Sequence, residues 1–179
     1  KQNIFFPNKK EKKLIENIFL LKNIINPKIV AKNPNLILER AGISCKQDIK
    51  LIAYEYKRKD FNNHFIGEKI APIITFIKSK NFDESLKLAE KVLNYSGKGH
   101  SAGIYSKNRT NIIKAGKFLN VSRLIVNQPN SRAAGGSLHN GLMTTLSLGC
   151  GSWGNNLSNE NLSYLDFLNK TKIVFEINK

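Results

Sequence analysis

Between residues 72 and 126 the spacing of apolar residues switches repeatedly between strand-like and helix-like, and this alternation constrains the fold more than any other feature. Residues 72–77 are a nearly continuous apolar run, the texture of a strand buried on both faces. Asn81 and Glu84 stand at capping-box spacing, with Asn in place of the usual Ser or Thr. Leu86, Ala89, Val92 and Leu93 follow on one helical face, and Gly97 stops it. Residues 100–105 read as a short strand. Residues 111–118 read as a helix with Ile112, Ile113, Ala115 and Phe118 apolar, and residues 121–126 as another strand. Strand, helix, strand, helix, strand at this spacing requires parallel crossovers, hence an α/β layer architecture with a mostly parallel sheet.

The flanking segments are read the same way. Residues 9–25 carry Leu14, Ile15, Ile18, Leu21 and Ile25 with lysines opposite, a helical period that Pro27 ends. Pro34 fits the first turn of a short helix with Leu36, Ile37 and Ala41 inward and Gly42 as its stop. Residues 49–54 read as a strand, and residues 56–67 as polar and irregular. Residues 129–141 and 149–156 are rich in Gly, Ser and Asn, and such loops after buried strands are where α/β proteins bind ligands. An amphipathic stretch, 161–168, and a final strand, 171–177, close the reading. At 179 residues, against a prior of about 150 per domain, a single domain over residues 1–179 is expected.

Composition excludes several classes. Two cysteines, Cys45 and Cys150, are too few for a disulfide framework. His64, His100 and His139 are far apart and near no cysteine at ligand spacing, so no metal site is expected. No apolar run approaches the roughly 20 residues of a membrane span, and the N-terminal lysines leave no room for a signal-peptide core; a cytoplasmic location is the default, with no membrane partner. The net charge of +16 invites a nucleic-acid reading. The basic residues are scattered, however, and no recognisable nucleic-acid-binding pattern accompanies them, so nucleic acid is not expected as a partner. Met143 is the only methionine, and a partial chain is expected.

Three segments go beyond generic α/β texture: Gly67-Glu68-Lys69-Ile70-Ala71-Pro72; Gly97-Lys98-Gly99-His100-Ser101-Ala102-Gly103-Ile104-Tyr105; and Val126-Asn127-Gln128-Pro129-Asn130-Ser131, followed by Ala134-Gly135-Gly136-Ser137 and Leu148-Gly149-Cys150-Gly151-Ser152-Trp153-Gly154. In order, from about Lys12 to Val174, the chain resembles the C-terminal portion of CoA-acylating aldehyde dehydrogenases, the group of acetaldehyde, succinate-semialdehyde and sulfoacetaldehyde enzymes and the aldehyde half of bifunctional aldehyde-alcohol dehydrogenases. The resemblance implies the three-layer αβα catalytic domain of the aldehyde dehydrogenase fold, without the N-terminal NAD-binding domain. It implies part of an oxidoreductase that converts an aldehyde, CoA and NAD or NADP to acyl-CoA and reduced cofactor through a thioacyl-enzyme. The family needs a cysteine thiolate and an oxyanion stabiliser beside the nicotinamide.

Neither cysteine matches the family's nucleophile, so the isolated chain is expected to be inactive. By the resemblance, Glu68 reaches the nicotinamide ribose, where a carboxylate can accept from both hydroxyls; the bland alternative is a surface glutamate beside Lys69. Asn127, Gln128, Asn130 and Ser131 match the loop lining the aldehyde pocket and suit a polar tail, turn formation being the alternative. Cys150 belongs to the glycine loop, whose backbone would approach a ligand closely, or is a small residue in a tight turn. Cys45 and His139 read as incidental, His100 as structural in a buried strand, and Trp153 as packing the glycine loop. The spacing Gly149-x-Gly151-x-x-Gly154 matches a dinucleotide fingerprint only weakly. Partners implied are a small aldehyde and CoA, and a second copy of the chain or a complementing N-terminal half. The rival reading is a non-catalytic relic or assembly subunit.

Overall fold

Parallel strand pairing joined by helices organises both compact units of the chain, Lys1–Ser85 and Leu86–Lys179. The computed structural model describes residues 3–21, 24–57 and 64–177.

In the first unit, β1 (Ile4–Phe5) leads into α1 (Lys9–Phe19). A full capping box starts this helix: the Asn8 side chain accepts from the amides of Lys10 and Glu11, and the Glu11 carboxylate accepts from the Asn8 amide at 2.8 Å. The expected helix over 9–25 ends early, at Phe19. The carbonyls of Ile18 and Phe19 accept from the Asn26 side chain and amide, each at 2.8 Å, so a returning turn satisfies the helix end. Leu21 and Ile25 then lie in an antiparallel pair, β2 (Leu20–Leu21) and β3 (Ile24–Ile25). Next, α2 (Pro34–Arg40) has Pro34 in its first turn, and Gly42 follows its end with φ +72°. Ile37, Leu38 and Ala41 are buried there, whereas Leu36 is only half-buried.

β4 (Leu51–Tyr56) is central in the parallel order β1-β4-β5, with β5 spanning Ile73–Ile77. The strand expected over 49–54 is displaced because the ladder to β5 runs from Ile52↔Ile73 to Tyr56↔Ile77. β5 is an edge strand here, and only Ile73 is buried while Ile74 is 46% exposed; the expectation of burial on both faces fails in this unit. Of the irregular stretch over 56–67, residues 58–63 lie outside the described residues, and His64–Ile66 form a 3-10 turn. Ile15, Phe19, Ile37, Leu38, Ile52, Tyr54 and Phe65 make the core. The Phe65 ring stands 4.4 Å from Phe19 and 4.9 Å from Tyr54, centroid to centroid.

α3 (Phe82–Ser96) begins with half of the expected capping box. The Asn81 side chain accepts from the Glu84 amide at 2.9 Å, but the Glu84 carboxylate accepts from the Lys80 amide instead. Gly97, at φ +107°, ends it. In the second unit β6 (Gly99–Ile104), α4 (Arg109–Phe118) and β7 (Val121–Val126) form a parallel crossover, with Ser101 opposite Arg123 and Ile104 opposite Val126. Ala115 and Leu119 are the inward residues of α4 and its end, while Ile113 and Phe118 are exposed. A four-residue helix, α5 (Asn130–Ala133), follows β7. His100, read as part of a buried strand, is exposed, its Nδ1 2.8 Å from Ser101 Oγ.

The expected amphipathic stretch over 161–168 is a 3-10 turn at Tyr164–Phe167. The expected final strand over 171–177 is absent. Its apolar run matches strand texture, but strand formation needs a pairing edge and these residues pair with none of the described strands. Ile173, Val174, Phe175 and Ile177 are instead largely exposed.

Candidate functional site

The loop leaving β7 starts with Asn127 in the left-handed region, φ +54°, which Asn tolerates better than most residues. Its side chain clips the chain leaving β6: Nδ2 donates to the Ser106 carbonyl and Oδ1 accepts from the Ser106 amide, both at 2.9 Å. Both loops thus meet at the carboxyl ends of two parallel strands, the end at which α/β sheets receive ligands. Asn130 opens α5 and donates from Nδ2 to Ser101 Oγ at 3.2 Å. Gln128 is half-buried and Ser131 exposed. These four residues are therefore gathered on one short segment.

A second loop carries Cys150. Its two arms run antiparallel: Leu148 bridges Asn161, the Gly149 amide donates to the Glu160 carbonyl, and the Gly151 amide donates to the Ser158 carbonyl, both at 2.9 Å. The Cys150 amide donates to Asn156 Oδ1 at 2.9 Å. A Cβ on Gly99 would overlap the Cys150 carbonyl oxygen, and one on Gly154 would overlap Cys150 Cβ. The space these glycines leave is thus filled by the protein's own chain. Gly149, Gly151 and Gly154 sit on an antiparallel arm and a short 3-10 turn, Ser152–Gly154. A dinucleotide fingerprint requires a strand-to-helix turn instead. Trp153 is 45% exposed on this turn.

The residue that organises the second loop is Arg123, buried to 5% exposure. Its Nε donates to Asn161 Oδ1, Nη1 to the carbonyls of Gly149 (2.9 Å) and His100 (3.2 Å), and Nη2 to those of Glu160 (2.9 Å) and Asn159 (3.2 Å). All five guanidinium donors are used, and among the described residues no carboxylate pairs with it. Asn161 in turn donates to the carbonyls of Ala134 (3.0 Å) and Met143 (2.8 Å). One buried polar hub therefore holds β6, β7 and both loops. Sequence reasoning missed it, although the signal is there: Val121, Arg123 and Ile125 alternate on the inward face of β7.

Beside the first loop lies a cavity of about 610 Å³ lined by Gln128, Pro129, Arg132, Ala133, Gly136, Ser137 and His139, within the usual range for small-molecule sites. Of the expected pocket residues, only Gln128 is among these. Arg132 and Ala133 are the ones the sequence reading passed over. A second missed signal surrounds them: no Asp or Glu occurs between Glu90 and Glu160.

Glu68 belongs to the first unit. It is exposed and, among the described residues, engages no hydrogen bond or ion pair, so its carboxylate is open to hydroxyl donors. Two residues on, Ile70 adopts φ +47°, a conformation uncommon for a β-branched side chain. Its carbonyl accepts from the Ala31 amide at 2.8 Å. Between them Lys69 is buried and donates to the Gly67 carbonyl at 2.8 Å; burial pushes its pKa down to about 8. Cys45 sits half-buried in this unit, its thiol 3.8 Å from the Gln47 carbonyl. Among the described residues no cluster of His, Cys, Asp and Glu could hold a metal ion, and no helix is long and apolar enough to cross a membrane.

No family model matches the chain. A sulfoacetaldehyde dehydrogenase of an Acholeplasma species is 36% identical over 168 residues, covering 91% of this chain and 35% of that protein. The acetylating succinate-semialdehyde dehydrogenase of Clostridium kluyveri is 40% identical over 149 residues, 83% of this chain and 33% of its own length. In structure, the chain is similar to an acetylating aldehyde dehydrogenase from Geobacillus thermoglucosidasius, with a TM-score of 0.91 and 30% identity over 99% of this chain and 39% of that one. The chain spans about a third of the length of the curated relatives it matches. Its mixed helix and parallel-sheet fold is theirs, and over that third it is a homologue of the acylating aldehyde dehydrogenases.

Proposed function

We propose that residues 1–179 are the C-terminal catalytic-domain portion of a CoA-acylating aldehyde dehydrogenase. The observation that carries this reading is the 40% identity to an acetylating succinate-semialdehyde dehydrogenase across 83% of the chain. The whole enzyme would convert an aldehyde, CoA and NAD or NADP to acyl-CoA and reduced cofactor, and the cofactor, when bound, supplies the hydride acceptor. Glu68 would hold the nicotinamide ribose by accepting from its hydroxyls, a role its open carboxylate fits. Asn127, Gln128, Asn130 and Ser131 would line the aldehyde side at the carboxyl end of β7, with Asn127 shaping the loop through Ser106. Cys150 would contribute backbone and a small side chain to the neighbouring loop.

The nucleophilic thiol would come from a segment other than residues 1–179. Cys150 is half-buried on the glycine loop, its backbone packed against Gly99 and its amide donating to Asn156 Oδ1, and Cys45 lies in the first unit away from any expected site residue in sequence. The dinucleotide-binding domain would likewise be supplied outside these residues, and a cytoplasmic location suits such an enzyme. Leu138, Leu146 and Leu157 are fully exposed. Association with a second copy or with a complementing polypeptide would accompany the proposed function.

The test is NAD(P)H formation from aldehyde and CoA. The native polypeptide that contains this region should form it, and the purified 179-residue chain should not. Turnover by the 179-residue chain alone would contradict the assignment of the nucleophile.

A further inference from the structure

We propose that Lys69 is a positioning residue: its buried side chain holds the Gly67–Glu68 peptide in place and so fixes the Glu68 carboxylate for the nicotinamide ribose. This deepens the proposed function and rests on the role given there to Glu68.

Residues 68–70 invert the usual order of burial. Lys69 is only 9% exposed, whereas the isoleucine that follows it is 53% exposed, and Lys is among the residue types least often buried. Glu68 lies on the open side, just before Lys69. The Lys69 side chain folds back past it, and Nζ donates to the Gly67 carbonyl at 2.8 Å. That bond closes a ring around the Glu68 backbone. The Gly67 carbonyl belongs to the planar peptide unit that ends on the Glu68 amide, and glycine leaves that unit freer to turn than any other residue would. A donor on this carbonyl therefore removes motion directly at the base of the Glu68 side chain.

Both ends of the segment are fixed independently. Upstream, Thr75 Oγ1 donates to the Phe65 carbonyl. Downstream, the Ile70 carbonyl accepts from the Ala31 amide at 2.8 Å and the Pro72 carbonyl from the Ile52 amide at 3.0 Å. Ile70 is held at φ +47°, a strained conformation that persists only where the surroundings impose it. Glu68 stands between these anchors, and Lys69 supplies the tie nearest to it.

The lysine is kept there against stability. Among the described residues no carboxylate pairs with it, and burial alone lowers its pKa to about 8. An apolar side chain of similar length would avoid that desolvation. A residue that a more stabilising one could replace points to a task other than holding the fold.

The experiment uses the native polypeptide containing residues 1–179, with Lys69→Met, Lys69→Arg, Glu68→Gln and the double variant Glu68→Gln/Lys69→Met. Calorimetry measures binding of the reduced nicotinamide dinucleotide and of ADP, which lacks the nicotinamide ribose. Glu68→Gln should weaken the dinucleotide about tenfold. Lys69→Met should weaken it on the order of three- to tenfold, the scale of one lost hydrogen bond, and Lys69→Arg should retain part of the affinity. ADP should bind all variants alike. In the double variant the Lys69 change should add little to the Glu68 change, because one acts through the other. The unfolding midpoint of Lys69→Met should not fall below that of the parent, which separates positioning from support of the fold. Unchanged dinucleotide binding in Lys69→Met, full additivity in the double variant, or an equal loss for ADP would overturn this inference and leave the role of Glu68 standing. Parent-like dinucleotide binding in Glu68→Gln would overturn the ribose role of Glu68 and this inference with it.

Discussion

The two units reach a similar parallel arrangement by different means. In the first, a large apolar cluster around Ile15, Phe19, Tyr54 and Phe65 closes β4 against α1 and α2. In the second, the cluster beside the loops is small, Ile125, Ala133 and Ala134, and the buried Arg123–Asn161 hub holds what apolar contact does not. Apolar burial is non-directional and tolerant of the shapes that fill it. A saturated guanidinium is directional and fixes particular carbonyls in place. The difference assigns an apolar scaffold to the unit that carries Glu68 and precisely placed loops to the other, where the aldehyde contacts are proposed.

The contrast breaks first where the apolar core is emptied. Phe65→Ala removes a ring that touches Phe19 and Tyr54 and should cost about 3–5 kcal/mol in denaturant unfolding. Next, Arg123→Met leaves the Gly149 carbonyl and Asn161 Oδ1 without their donor and removes one of the two donors to the Glu160 carbonyl. The expected loss is about 2–4 kcal/mol, with hydrogen exchange rising at the amides of Gly149, Gly151 and Leu162 while β4 stays protected. If exchange rises equally in β4, the hub is not specific to the loops.

Lys69 sharpens the comparison from the other side, as a charge buried in the apolar unit. Its folded pKa of about 8 lies below the unfolded value of 10.5. The unfolded chain therefore binds more protons between those values, and stability rises with pH across that window. Lys69→Met should flatten that rise and add on the order of 1 kcal/mol at neutral pH, read from unfolding curves at pH 7 and pH 10. The smallest expected effect is at the α1 cap: Asn8→Ala should cost about 1 kcal/mol, seen as a lower midpoint with an unchanged slope.

The alternation over residues 72–126 was legible because its signals are local. Asn81, Gly97 and the apolar spacing of α3 act within a few residues of themselves, and β7 lies where its pattern places it. The errors arise where pairing is non-local. Leu21 and Ile25 fit a helical stripe as well as they fit a hairpin, and Asn26 decides between them by capping the carbonyls of Ile18 and Phe19. Residues 171–177 have strand composition, but composition carries no information about a pairing edge. The Asn127–Ser131 segment and the glycine loop were visible as texture. Arg123 could have been placed inward by its alternation with Val121 and Ile125, but its partners could not, because they are mainly backbone carbonyls, and backbone is silent in a sequence.

The most direct test of the functional account is the mass of the native polypeptide in its source cells, detected with an antibody against this region. The account expects a subunit much heavier than 20.2 kDa, or a band of that mass that co-purifies with a second polypeptide carrying the reactive cysteine and the dinucleotide-binding domain. A band near 20.2 kDa with no such partner would contradict the catalytic reading and leave a free-standing domain without its chemistry.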